Sequence, residues 1–340
     1  MEIAENRPLR VGACLSLSGR FARFGTQGAQ GLKVWKSLDG QADVVLEDDK
    51  SDPHTLEDIL PRLASECDLL LGPYSTQLTR SAARIASGLD LLLWNHGGSG
   101  DDVEASHPGY MVSVLTPTKR YAEPFIHHLS KNFPPARLHI VHGKGAFARQ
   151  VADGAQEIAQ NAGIETSRSG AFDGREPPGT SGAEWDLFSA GIFEDDVEIV
   201  RTALGLSSPP RVICAVAAGV RDFGSALDDV QGIYGVGQWF PGANPRPQLG
   251  PGETDFLDAY SRQFGATPDY PAVQAVAAAT LAVHCARTTG SIARKPLLSA
   301  ASGLSTDTLF GAFRISPTSG VQLGHQSTLM RWSDRGLAVV

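Results

Sequence analysis

Short, continuously apolar runs alternate with longer stretches of helical period along most of this chain, and no other feature constrains its fold as tightly. Arg10–Leu15, Asp43–Leu46, Cys67–Leu71, Asp90–Trp94 and Tyr110–Leu115 read as strands. Between them, Leu32, Trp35 and Leu38 recur at helical spacing, closed by Gly40, and Leu78, Ala82 and Ile85 do the same. Asp52-Pro53 pairs a cap with a first-turn proline and opens a helix through Ile59 and Leu63, which Pro61 is expected to distort. Strands apolar on every residue are buried on both faces. The pattern therefore predicts an α/β architecture, a mostly parallel sheet with helices on both faces.

The rhythm restarts after Thr116-Pro117. Tyr121–Leu129 is helical, Leu138–Val141 a strand, and Val151, Ala155, Ile158 and Ala159 a helix closed by Gly163. A loop is expected over Asp173–Gly182, a strand at Trp185–Ala190, and a helix carrying Val197, Val200 and Leu204. Val212–Val216 and Ile233–Phe240 read as strands, with Phe223, Ala226, Leu227 and Val230 between them. Gly242–Gly252 is a Gly/Pro-rich connector, followed by helices starting at Phe256 and over Ala272–Cys285. Thr308–Ile315 and Ser327–Trp332 close the chain as strands. At 340 residues, two domains of ~100–200 residues are expected.

Composition narrows the function. A net charge of −8 repels polyphosphate and argues against a nucleic-acid partner. No run approaches the ~20 apolar residues that span a bilayer. The first ten residues lack the basic, apolar and small-residue sections of an export signal, so the expectation is a cytosolic chain or one whose signal was removed or mis-assigned upstream. Cys14, Cys67, Cys214 and Cys285 lie far apart in apolar runs, as buried thiols do. Neither the cysteines nor the adjacent His127-His128 have metal-ligand spacing. Gly143-Lys144-Gly145 and Gly235-Val236-Gly237 lack the third glycine of a dinucleotide loop, and Gly97-Gly98-Ser99-Gly100 lacks the spacing of a nucleophile elbow. No cofactor is implied. Glu47-Asp48-Asp49 reads as solvated, and Glu194-Asp195-Asp196 as acids favouring a helix start.

Open parallel sheets bind ligands beyond the carboxyl ends of their strands. The loops there are Ser16–Gly25, Gly72–Thr76 and Asn95–Ser99 in the first half, with Gly143–Phe147, Ala190–Glu194 and Ala217–Gly219 in the second. Their glycines and small hydroxyls let backbone N–H groups approach a small-molecule ligand.

Three segments carry a family resemblance. Val11–Gly25, with Leu-Ser-Gly after a strand and then an aromatic-Gly, resembles the opening of the leucine/isoleucine/valine-binding protein family. Leu71-Gly72-Pro73-Tyr74-Ser75-Thr76 is similar to its second motif, and Pro271–Ala279 with Leu309–Ile315 and Gly320 to its last third. The resemblance spans about residues 9–332. It implies a two-lobed type I periplasmic-binding fold: lobe 1 from 1–117 and 241–315, lobe 2 from 118–240 and 316–340, with hinge closure near Thr116–Thr118 and Phe240–Ala243. The implied function is non-catalytic binding of an amino acid or related carboxylate or amide. The partner would be an ABC permease at the cell envelope, or a regulatory protein if the chain is a cytosolic amide sensor.

The resemblance also implies a ligand set. Ser75, Thr76, Gly97 and Ser99 would hold the ligand's polar end. Phe24, Tyr74, Trp94 and Phe147 would supply apolar walls, and Ile192 or Phe193 falls where the family often has tyrosine. The family's ammonium-binding acid falls within Ala217-Ala218-Gly219, which carries no charge, leaving Glu194 or Asp222 to substitute. Arg20, Arg23 and His96 could hold a carboxylate or amide oxygen. His96 beside Ser99 is the one nucleophile–base pairing an enzyme reading could use, and no third orienting group accompanies it in the local sequence.

Overall fold

The computed structural model describes residues 7–39, 42–170, 172, 175 and 182–340. The chain divides into two compact units: the first runs up to Thr116 and resumes over Pro241–His325, and the second comprises Pro117–Phe240 and Gln326–Val340.

The first unit opens with β1 (Leu9–Leu15), α1 (Ala22–Asp39), β2 (Ala42–Asp48), α2 (Pro53–Glu66), β3 (Leu69–Leu71), α3 (Thr76–Gly88), β4 (Leu93–Asn95) and β5 (Met111–Ser113). Its five strands pair in the order β2-β1-β3-β4-β5, all parallel. Asp52 caps α2 as its sequence suggests, its carboxylate accepting from the His54 and Thr55 N–H groups. Pro61 does not break α2: Leu56, Ile59, Leu60 and Leu63 bury one face in the core and hold the helix through it. Two strands start later than their apolar runs. Cys67 donates its N–H to Leu63 O at 2.8 Å and ends α2. Asp90, at φ +55°, turns the chain before β4.

The second unit continues with α4 (Glu123–Asn132), β6 (Arg137–His142), α5 (Ala146–Asn161), β7 (Thr166–Ser169), β8 (Trp185–Ala190), α6 (Phe193–Leu204), β9 (Val212–Ala215) and β10 (Tyr234–Gly237). Strand β7 carries no apolar run, being Thr-Ser-Arg-Ser, and owes its state to parallel pairing with β6. Residues 216–225 form two 3₁₀ turns that bury Ala217, Ala218, Gly219 and Phe223. Most of the loop expected over 173–182 lies outside the described residues, as does the closing Gly40.

Back in the first unit come α7 (Glu253–Phe264), α8 (Tyr270–Thr289), α9 (Arg294–Gly303) and the hairpin β11 (Thr306–Thr308) and β12 (Gly311–Phe313). Helix α1 packs on α8 where a Cβ on Gly31 would lie 2.4 Å from Ala272 O, so only glycine permits the approach. The last crossing falls at His325/Gln326, ten residues beyond the 315/316 expected from sequence. Polar contacts without sequence periodicity keep 316–325 with the first unit. Gln322 Nε2 donates to Val114 O at 2.9 Å, and His325 Nδ1 lies 2.6 Å from Thr116 Oγ1. Finally β13 (Thr328–Ser333) and β14 (Gly336–Val339) add to the second sheet, ordered β14-β13-β10-β9-β8-β6-β7, with β13 antiparallel to both neighbours. Among the described residues no helix is long and apolar enough to cross a membrane.

Candidate functional site

In the first sheet the strand order reverses between β1 and β3, which opens a crevice at their carboxyl ends. Two loops, after β3 and after β4, meet beside it. The Gly72 N–H donates to Trp94 O at 2.8 Å, the Ser75 N–H to Gly97 O at 3.0 Å, and the Gly100 N–H to Thr76 Oγ1 at 3.2 Å. The structure thus brings Tyr74, Ser75, Thr76, Gly97 and Ser99 into adjoining loops. Gly97 is required by this contact: a Cβ there would lie 2.5 Å from both Pro73 O and Tyr74 Cα. Ser75 sits at φ +90°, a strained conformation for a residue with a side chain and one that concentrates at functional sites. Its Oγ accepts from the Leu78 N–H at 3.3 Å and caps α3.

Asn95 organises the glycine loop. Its Oδ1 accepts from the Gly97 and Gly98 N–H groups at 3.1 and 2.8 Å, and its Nδ2 donates to Gly98 O at 2.7 Å. Asn95 escaped the sequence reading as a ligand-loop organiser because its partners are backbone groups.

An aromatic cluster borders the Tyr74 loop. Phe24 stacks on Tyr74 with ring centroids 4.4 Å apart, and the Tyr74 and Tyr270 hydroxyls lie 2.5 Å apart. Tyr270 gives no sequence signal for this role, standing 196 residues away at the start of α8. Arg23 lies over Phe24 and Arg20 over Phe21, both arginines solvent-exposed. Trp94, by contrast, is completely buried and belongs to the core rather than to a ligand wall.

His96 departs from expectation. It is 1% exposed, and neither ring nitrogen has a hydrogen-bond partner. Burial pushes its pKa down to about 4, so it stays neutral and offers a ligand carboxylate no charge. Ser99 has no base in it. The acids at the end of β2 also differ from the solvated reading. Asp48 accepts from the Leu17 and Ser18 N–H groups at 2.9 and 3.1 Å, and buried Asp49 accepts from Ser16 Oγ at 2.6 Å. They clamp the loop after β1.

The second sheet reverses between β6 and β8. There the Gly143 N–H donates to Ala190 O at 3.0 Å, and the Lys144 N–H to Asp195 Oδ2 at 3.3 Å. Buried Asp196 accepts from Ser189 Oγ at 2.6 Å and from the Ala217 N–H at 2.7 Å. Burial raises its pKa to about 7. Of the acid triplet at the start of α6, Asp196 is therefore a buried tie between loops, while Glu194 is exposed in the first turn. Phe147 packs against the core edge-on to Tyr121, with centroids 5.8 Å apart, and Phe193 does so against Phe223 at 6.2 Å. Ala218 is fully buried, and its carbonyl accepts from Trp332 Nε1 at 2.9 Å. These three side chains serve the core of their own unit. Among the described residues no group of three or more His, Cys, Asp or Glu could hold a metal ion.

Comparison with known proteins bears on this geometry. The family model described as "Periplasmic binding protein" matches residues 8–336. Among solved structures, a leucine-binding protein of Thermotoga maritima superposes with a TM-score of 0.80 at 13% identity, over 98% of this chain and 97% of that one. A solute-binding protein of an ABC transporter from Rhodopseudomonas palustris, in complex with 3,4-dihydroxybenzoic acid, gives 0.80 at 16% identity, over 98% and 96%. An ABC transporter substrate-binding protein of Sphaerobacter thermophilus gives 0.82 at 17% identity, over 98% and 96%. No curated protein matches the sequence. The fold is the two-lobed type I periplasmic-binding fold, each lobe a mostly parallel sheet flanked by helices.

Proposed function

We propose a function from one premise: this chain belongs to the periplasmic binding protein family. It binds a small solute, an amino acid or a related carboxylate or amide, and releases it unchanged to an ABC permease. The observation that supports this most is the meeting of the Gly72–Thr76 and Asn95–Ser99 loops beside the strand-order reversal of the first sheet, with Phe24 of the Ser16–Gly25 segment stacked on Tyr74. Loops held that closely by backbone bonds present small hydroxyls and backbone groups in a fixed arrangement. Such an arrangement binds a polar end group at little entropic cost. Phe24 and Tyr74 suit the apolar remainder of the solute. The proteins solved with leucine, isoleucine and 3,4-dihydroxybenzoic acid share the fold and mark out the range of solutes to try. The reading includes hinge closure at Thr116–Thr118 and Phe240–Ala243 on binding.

A thermal-shift panel of amino acids, amides and aromatic and aliphatic acids tests it. A true solute at a hundred times its dissociation constant adds ~2.7 kcal/mol of stability. Mass spectrometry should recover that solute unaltered. Replacing Ser75 or Ser99 with alanine removes a charge-assisted hydrogen bond worth ~1.5–3 kcal/mol, and so weakens binding more than about tenfold. Ser75→Ala also removes the α3 cap and lowers stability by about 1 kcal/mol. Ser99→Ala leaves that cap in place, so a loss of affinity there reads binding alone. Calorimetry showing full affinity in both variants would remove these loops from the binding site.

A further inference from the structure

A buried carboxyl group reaches the glycine loop through two intervening side chains. Glu104 is 5% exposed, and its Oε1 accepts a hydrogen bond from Ser113 Oγ. Ser113 Oγ in turn accepts from Asn95 Nδ2 at 2.7 Å. The second Asn95 Nδ2 proton goes to Gly98 O, and Asn95 Oδ1 receives the Gly97 and Gly98 N–H groups. Every polar atom of Asn95 is thus committed, and the Ser113 hydroxyl can point its proton only at Glu104. We propose that Glu104 is a positioning residue for the Gly97–Ser99 loop, acting through Ser113 and Asn95, and that its ionisation loosens that loop.

The charges around Glu104 explain the direction. Asp101 and Asp102, on its own segment, both raise its proton affinity. Arg80 of α3 is engaged by Asp102 at 2.7 Å, and Arg294 of α9 by Asp90 at 2.6 Å and Gly109 O at 3.0 Å. No cation pairs with Glu104 among the described residues. Burial, the largest influence, and the two acids together raise its pKa from 4.5 to about 7. An opened segment would return the group to its ordinary value. Opening therefore becomes easier as pH rises between those two values and levels off above about 7. The segment that opens begins one residue after Ser99, so the loop loses its brace with it.

Amide hydrogen exchange of the ligand-free chain, expressed as protection against intrinsic rates, tests this. Protection over residues 97–106 should fall more than about tenfold between about pH 5 and about pH 8, a fraction of what the gap in pKa permits. Glu104→Gln keeps an acceptor for Ser113 and should hold the acid-side protection at both values. Glu104→Ala removes the acceptor and should leave the loop exchanging fast throughout. Wild-type protection that ignores pH, or a glutamine variant that keeps the slope, overturns the proposal. The role matters for affinity only if the binding reading holds, so L-leucine and 3,4-dihydroxybenzoate are titrated in parallel. If neither binds at any pH, the binding reading loses support for these solutes, while loop protection still decides the role of Glu104.

Discussion

Gly97→Ala is expected to weaken solute binding on the order of a hundredfold while costing the first unit about 1–3 kcal/mol of stability. The added methyl would stand 2.5 Å from Pro73 O and Tyr74 Cα, both on the neighbouring loop, where no flexible side chain can move aside. The two loops must part by about an ångström, more than the Ser75 N–H to Gly97 O bond of 3.0 Å can stretch. Tyr74, Ser75 and Thr76 move away from Ser99 together. Losing two polar contacts of ~1.5 kcal/mol each then weakens binding on the order of a hundredfold. Circular dichroism showing a folded chain, with calorimetry showing a dissociation constant raised about a hundredfold, is the expected pair of results. Gly88→Ala is the control, since a Cβ at that helical position meets nothing within 4 Å.

The second large effect is on pH dependence in the second unit. Asp196 is fully buried, and burial raises its pKa from 3.8 to about 7. The folded state therefore holds the proton across a range where the unfolded chain has lost it. The stabilisation this brings is complete below about pH 4 and disappears as pH rises through about 7. Its full size is on the order of 4 kcal/mol, several degrees in Tm for a unit of this length. Asp196→Asn keeps an acceptor for the Ala217 N–H and stays uncharged. Its Tm should lie near that of the wild type at about pH 4 and above it at about pH 8. Asp196→Ala should destabilise at both values, because it leaves the Ser189 hydroxyl and the Ala217 N–H buried without an acceptor. Thermal denaturation of the three proteins across this range checks the sign.

How much of this was legible beforehand depended on the type of interaction. Apolar strands announce themselves: Trp185–Ala190 is a strand from end to end as read, and the Asp52-Pro53 helix start is where the cap chemistry puts it. Strand β7 was invisible because pairing, not composition, makes it a strand. The strand-end loops follow from the parallel-sheet rule, whereas Tyr74, Ser75, Thr76, Gly97 and Ser99 within them are singled out with the help of the family resemblance. What lies beneath them was not. Asn95, Ser113 and Glu104 act through bonds between residues whose spacing follows no helix or strand period, and Tyr270 reaches Tyr74 only through the packing of α8. His96 misled for a related reason. A histidine next to a glycine loop suggests a ligand contact, yet residue 96 follows directly on β4 and its side chain is buried. Phe147 and Phe193 likewise turned out to pack on the core of their own unit.

Hydrogen exchange with and without the solute identified by thermal shift tests the central claim most directly. The expected result is slowed exchange in three short stretches, Leu17–Phe24, Tyr74–Thr79 and Asn95–Gly100, with the solute recovered at unchanged mass. Protection confined elsewhere, such as the surface cavity lined by Leu38, Pro251, Asp255 and Arg262, would contradict it.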